Sequence, residues 1–208
     1  MAARETEEII KLINSNSQDI VGNISRESID VYNFLKSQFD ENNIIENYLF
    51  QFIYRSFYRI DNAGLTKEFK TEYFNILQEY RNKEIFDFSD ILERLHRIPN
   101  HRGLNTFQFS FVTKMHNTIS NNRPIYDSEV AEVFSFKKPK YNLNFNDKVE
   151  FYLEQLSIIS NTYNLLIENN NLNETTELFD NTFKNHNLSR EKVFDFIFWS
   201  AGKVIRRF

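Results

Sequence analysis

Only seven of the 208 residues are glycine or proline, four and three respectively, and this scarcity limits the folds open to the chain. Tight turns between short strands depend on glycine for left-handed backbone and on proline for a preset φ. A sandwich or barrel needs many such turns, so seven residues are too few for an all-β fold. After Pro139 neither residue recurs until Gly202. The apolar residues instead recur in steps of three and four, as in Ile45, Tyr48, Leu49, Phe52, Ile53, Phe57 and Ile60. That is the period of a helix with one buried face. The sequence predicts an all-α protein of about nine or ten helices. Hydrophobic residues at 41% and aromatic residues at 16% supply its core.

The predicted helices cover residues 5–13, about 26–39, 45–60, 67–80, 88–98, 107–119, 125–136, 146–167, 174–184 and 189–204. Ser25, Thr66, Asp87 or Ser89, and Thr106 stand where N-caps belong. Asp61-Asn-Ala-Gly64 and Pro99 stop two of the helices, and Asn-rich turns separate the last three.

Cysteine is absent, which excludes disulfides, cysteine nucleophiles and thiolate metal sites. No apolar run has the length of a membrane span. The opening Met1-Ala-Ala-Arg-Glu-Thr-Glu-Glu8 is charged and does not read as a signal peptide, so a cytoplasmic protein with no membrane partner is expected. The net charge of −4 is unevenly spread. From Arg94 to Lys148 nine basic residues stand against four acidic ones, and His96, His101 and His116 lie in the same stretch. Such a stretch is either an ordinary solvated face or a basic surface for a polyanion.

That stretch carries three pieces of text: Ile98-Pro-Asn-His-Arg-Gly103, Phe109-Ser-Phe-Val-Thr-Lys114-Met-His, and Pro124-Ile-Tyr-Asp127-Ser-Glu-Val130. Their order resembles the helix-hairpin-helix DNA glycosylase superfamily, especially divergent members with the fold of the 8-oxoguanine glycosylases. The match covers about a quarter of the chain, and Pro124-Ile-Tyr-Asp127-Ser is its best part. The superfamily's hairpin carries more glycine than the single Gly103 here, so this hairpin is a degenerate one. Phe57-Tyr-Arg-Ile-Asp-Asn-Ala-Gly-Leu65 and Phe194-Asp-Phe-Ile-Phe-Trp-Ser200 resemble segments of bacterial proteins of this type, without an assigned role.

The resemblance implies a two-lobed helical fold with a cleft between the lobes. Residues 1–45 with 145–208 would form one lobe, and 46–144 the other, which holds the hairpin. It implies a base-excision glycosylase that binds double-stranded DNA as a monomer, without a cofactor or metal. Asp127 would be the catalytic carboxylate, and Lys114 a second-choice nucleophile. Asn100, His101, Arg102, Gly103, Arg123, Lys137 and Lys138 would grip phosphates. Tyr54, Tyr58 and Tyr126 would stack on the extruded base. The chemistry suits those residue types. Breaking an N-glycosidic bond builds positive charge on the sugar, which an ionised carboxylate stabilises while orienting a water. The plainer alternative for Asp127 is a helix cap and nothing more. The alternative for the whole chain is a catalytically inactive DNA- or protein-binding module of the same fold, for example in a bacterial defence or mobile-element system.

Overall fold

The structure is a computed structural model that describes residues 3–206. Those residues form α-helices and one 3-10 turn, with no strand. The helices are α1 (Thr6–Ser15), α2 (Ser17–Gly22), α3 (Arg26–Glu41), α4 (Tyr48–Phe57), α5 (Lys67–Tyr80), α6 (Phe88–His96), α7 (Phe109–Ile119), α8 (Ser128–Val133), α9 (Phe145–Glu168), α10 (Asn173–Thr182) and α11 (Arg190–Ile205), with the 3-10 turn at Ile60–Ala63. The all-α expectation therefore holds. None of these helices is long and apolar enough to cross a membrane.

Local chemistry accounts for most helix starts. Asn47, Thr66, Asp87, Asn144 and Ser189 each accept a backbone N–H from the first turn of the helix they precede. Ser25 does the same for Ser28 at the start of α3. Thr106 does not cap α7. The helix begins three residues later, and the Thr106 hydroxyl accepts from the Gln108 side chain at 2.7 Å. The polar stretch after residue 13 is also helical: α2 forms there because Ile20 and Val21 have a core to enter.

Asparagine explains how so many helices end with so little glycine. Asn170, Asn185 and Asn187 all take left-handed backbone, with φ of 54°, 59° and 54°. Asparagine tolerates that region better than other residues with a Cβ. The Asn-rich turns thus do work that glycine does elsewhere.

The chain forms two compact units. One holds the residues up to Ile29 together with those from Asn121 onward; the other is Asp30–Ser120. Residues 30–45 and 121–144 therefore belong to different units from those that boundaries at 45 and 145 give them. The hairpin and Lys114 lie in the second unit, and Asp127 in the first.

In the first unit α11 is buried on nearly every side. Phe198 meets Tyr163 of α9 at 4.7 Å between ring centroids and Phe134 at 5.6 Å. Ser200 donates to the Ile20 carbonyl of α2 at 2.6 Å. Gly202 lets α8 approach so closely that a Cβ there would stand 2.1 Å from the Glu129 carbonyl oxygen.

The second unit is built on aromatics of α4 and α5. Phe50, Tyr54, Phe69, Tyr73 and Phe74 are fully buried. The Tyr54 hydroxyl lies 3.0 Å from that of Tyr73 and 3.1 Å from Thr118 Oγ1, and Tyr73 donates to the Phe111 carbonyl at 2.8 Å. Every buried hydroxyl in that chain is satisfied, as a core requires.

Candidate functional site

Asp127 stands at the N-terminus of α8 with extended backbone, φ −143° and ψ 179°. Its Oδ1 accepts the N–H groups of Glu129 at 2.9 Å and Val130 at 3.0 Å. Among the described residues no donor reaches Oδ2. The side chain is half-buried. One oxygen thus fixes the carboxylate to the backbone, and the other stays available to a ligand or a water.

The segment before it is held as firmly. Pro124 and Ile125 are buried, and the Ile125 N–H donates to Asp195 Oδ1 of α11 at 3.2 Å. The Tyr126 ring lies parallel to Phe136 at 6.4 Å and edge-on to Tyr152 at 5.3 Å. Burial pushes the Tyr126 hydroxyl well above the usual phenol range, and the charge of Asp127 adds to the effect.

Behind this segment lies a group of buried ionisable side chains that sequence reasoning did not assign. Lys192 and Asp195 are 3% and 6% exposed, with Nζ and Oδ2 3.4 Å apart. Burial pushes Asp195 up to about 6, against the pull of Lys192. Burial pushes Lys192 down, against the pull of Asp195. Tyr163 of α9 is 2% exposed, and its hydroxyl has no hydrogen-bond partner. Burial raises it strongly, and the charges of Asp195 and Asp127 raise it further. Asp127, Asp195, Lys192 and Tyr163 are therefore one electrostatic neighbourhood. A signal for it existed in the sequence. Lys192-Val-Phe-Asp195 puts two charges three residues apart, on one face, at the edge of the apolar run Phe194–Ala201, which must be buried.

The hairpin is a tight, self-contained loop. The Asn100 Oδ1 accepts the N–H groups of Arg102 at 2.9 Å and Leu104 at 3.1 Å. The Asn100 N–H donates to the Leu104 carbonyl, that of Gly103 to the Asn100 carbonyl, and that of His101 to the Gly64 carbonyl. All five N–H groups of residues 100–104 are thus spent inside the protein. This corrects the expectation that Gly103 offers its backbone to a phosphate. Gly103 serves the turn instead, with a φ of 75°. The side chains of His101 and Arg102 remain exposed, as do Arg123, Lys137 and Lys138. Asn100→Ala is expected to cost about 1 kcal/mol in urea unfolding, because two turn N–H groups lose their acceptor to solvent.

Two of the three tyrosines expected to stack on a base are core residues. Tyr54 is fully buried with its hydroxyl engaged, and Tyr58 is 7% exposed with its ring 4.6 Å from that of Tyr54. Neither ring has a face open for a base. Their spacing on α4 is that of a buried stripe, which aromatic content alone does not distinguish from a stacking platform. Tyr126 keeps part of its surface.

Lys114 is half-buried on α7. Its Nζ lies 3.2 Å from Ser110 Oγ and 5.1 Å from the centre of the Phe111 ring. The local excess of basic charge is smaller than the sequence count. Arg94 pairs with Glu72 at 2.9 Å and Glu79 at 2.8 Å, and Arg97 pairs with Glu93. His96 lies 3.2 Å from the Thr106 carbonyl through Nδ1, and His116 stacks on Phe86 at 4.2 Å. Among the described residues no group of three or more His, Asp or Glu side chains could hold a metal ion.

The fold and the site define an all-α protein with one carboxylate held open above a buried lysine–aspartate pair. Compared with known proteins, the chain matches no family model, no curated protein and no solved structure.

Proposed function

We propose that the protein is a DNA glycosylase that removes a damaged or modified base from double-stranded DNA, acting as a cytoplasmic monomer. The observation that carries the reading is the Asp127 carboxylate, tied to two backbone N–H groups through Oδ1 with Oδ2 left open, in the segment that resembles the superfamily's catalytic one. A carboxylate so held keeps its place while charge develops on the sugar. As the base departs with the electrons of the C1′–N bond, Oδ2 faces the positive sugar and orients a water. The water adds to C1′ and passes its proton by way of Asp127 Oδ2 to the nitrogen of the departed base. Exposed Arg123, Lys137 and Lys138, in the same unit as Asp127, supply side chains for phosphates.

The test is binding to a duplex with an abasic-site analogue against the same duplex undamaged, over a range of salt, followed by a screen of modified bases. Tighter binding to the analogue that weakens steeply with salt supports the reading. Asp127→Asn is expected to lower excision at least about 100-fold. Asparagine caps helices about as well as aspartate, so folding stability should change by less than about 0.5 kcal/mol. An Asp127→Asn variant with full excision would sink the assignment. A covalent adduct trapped by borohydride and lost in Lys114→Gln would move the attack to Lys114.

A second reading, an inactive interaction module, draws on a different observation. The helix α4 exposes the large apolar side chains of Tyr48, Leu49 and Phe52 at 76%, 62% and 59%. The closed hairpin fits this reading as well. Absence of DNA binding at low salt would favour it.

A further inference from the structure

We propose that Asp195 is the positioning residue of Asp127. Its carboxylate anchors the segment from Pro124 to Asp127 onto α11 by accepting the Ile125 N–H, and Lys192 faces that carboxylate inside the core. The inference rests on the reading that Asp127 carries excision.

Three observations support it. First, the acceptor is placed on the site's own backbone. Asp195 Oδ1 takes the N–H of Ile125, two residues before Asp127, at 3.2 Å. Asp127 is therefore tethered from both sides, by the turn of α8 ahead of it and by α11 behind it. The one residue between, Tyr126, is held by its ring against Phe136 and Tyr152. Second, the ion pair is a poor choice for packing alone. Apolar residues of similar volume commonly match or exceed a buried lysine–aspartate pair in stability. Third, the buried residues nearest the pair on α11, Val193, Phe194, Phe196, Ile197 and Phe198, are apolar and need no polar company. The role absorbs the Phe194-Asp-Phe-Ile-Phe-Trp-Ser200 segment that otherwise has none. Misplacing a catalytic group by about 1 Å can cost about 100-fold in rate, so an anchor two residues away matters to the chemistry.

The test uses the full chain and the variants Asp195→Ala and Asp195→Asn. Hydrogen exchange at the Ile125 amide reports the anchor, single-turnover excision reports the chemistry, and affinity for the abasic-analogue duplex reports binding. In Asp195→Ala the Ile125 amide should exchange at least about tenfold faster while the Ala131 amide in α8 stays protected. Excision should fall at least about tenfold, with duplex affinity within about twofold. Asp195→Asn keeps an acceptor oxygen and should return both protection and rate to within about threefold of the wild type. Unchanged Ile125 protection in Asp195→Ala overturns the proposal, as does lost protection with an unchanged excision rate. If the alanine variant fails to fold, the asparagine variant decides: loss of rate with protection retained overturns the anchor, and retention of both supports it. If the wild type excises no base, the glycosylase reading fails by itself, and the exchange data still decide whether Asp195 holds the segment.

Discussion

Gly202→Ala is expected to destabilise the protein by at least about 3 kcal/mol, at or above the upper end of ordinary overpacking costs. The added Cβ would stand 2.1 Å from the Glu129 oxygen, 2.5 Å from its carbonyl carbon and 2.8 Å from its Cα. These are backbone atoms, so no side-chain rotation relieves the clash. The helices α8 and α11 would have to separate, and α11 is the most buried helix of its unit. The shift would also carry Asp127, which caps α8. Gly22→Ala is the control. Nothing lies within 4 Å of a Cβ there, and the change should be neutral or stabilising by up to about 1 kcal/mol. Urea unfolding midpoints of the two variants check the pair. Equal midpoints would mean that the α8–α11 crossing is looser than described.

Lys192→Met alone is expected to cost about 3–5 kcal/mol, because it leaves the Asp195 carboxylate buried without its cation. The double variant Lys192→Met/Asp195→Leu should cost less than that single change. It removes both charges and sacrifices mainly the acceptor of the Ile125 N–H, worth about 1–3 kcal/mol. The order reverses simple addition, and a double-mutant cycle by urea unfolding measures it.

The pH dependence of the pair has a defined sign. Asp195 is raised in the folded state from 3.8 to about 6. Its contribution is therefore complete below about pH 4 and is lost as pH rises through about 6. Lys192 is lowered from 10.5, so its contribution is complete above that value and is lost as pH falls through the depressed one. Both slopes vanish in the double variant. The Asp195 part of the difference between the wild type and the double variant should favour the wild type increasingly as pH falls from about 7 toward about 4. A constant difference over that range would mean that Asp195 titrates normally in the fold.

The scarcity of glycine and proline, with the helical period of the apolar residues, was enough to exclude strands and to locate nearly every helix. That information is local, because caps act within a turn and periodicity within a few turns. Thr66, Asp87 and Ser189 illustrate it: each cap bonds a residue three positions on. Asp127 was legible for the same reason, since proline, aspartate and the start of a helix stand together in the sequence.

Long-range placement was not legible. Tyr54 and Tyr58 follow the same helical spacing as Tyr48 and Phe52, yet the first two are core and the last two exposed. Only the helices packed around α4 decide which face is which. Asn100 looked like a loop residue facing DNA, but its side chain closes the hairpin onto itself, and Gly64, 37 positions before His101, takes one more of its N–H groups. Asp195 lies 70 positions from Ile125. A carboxylate's worth in the interior depends on which donors meet it there, and those donors come from a distant part of the chain. The sequence thus named the helices and one helix-capping carboxylate, and packing chose the faces, the buried pair and the anchor.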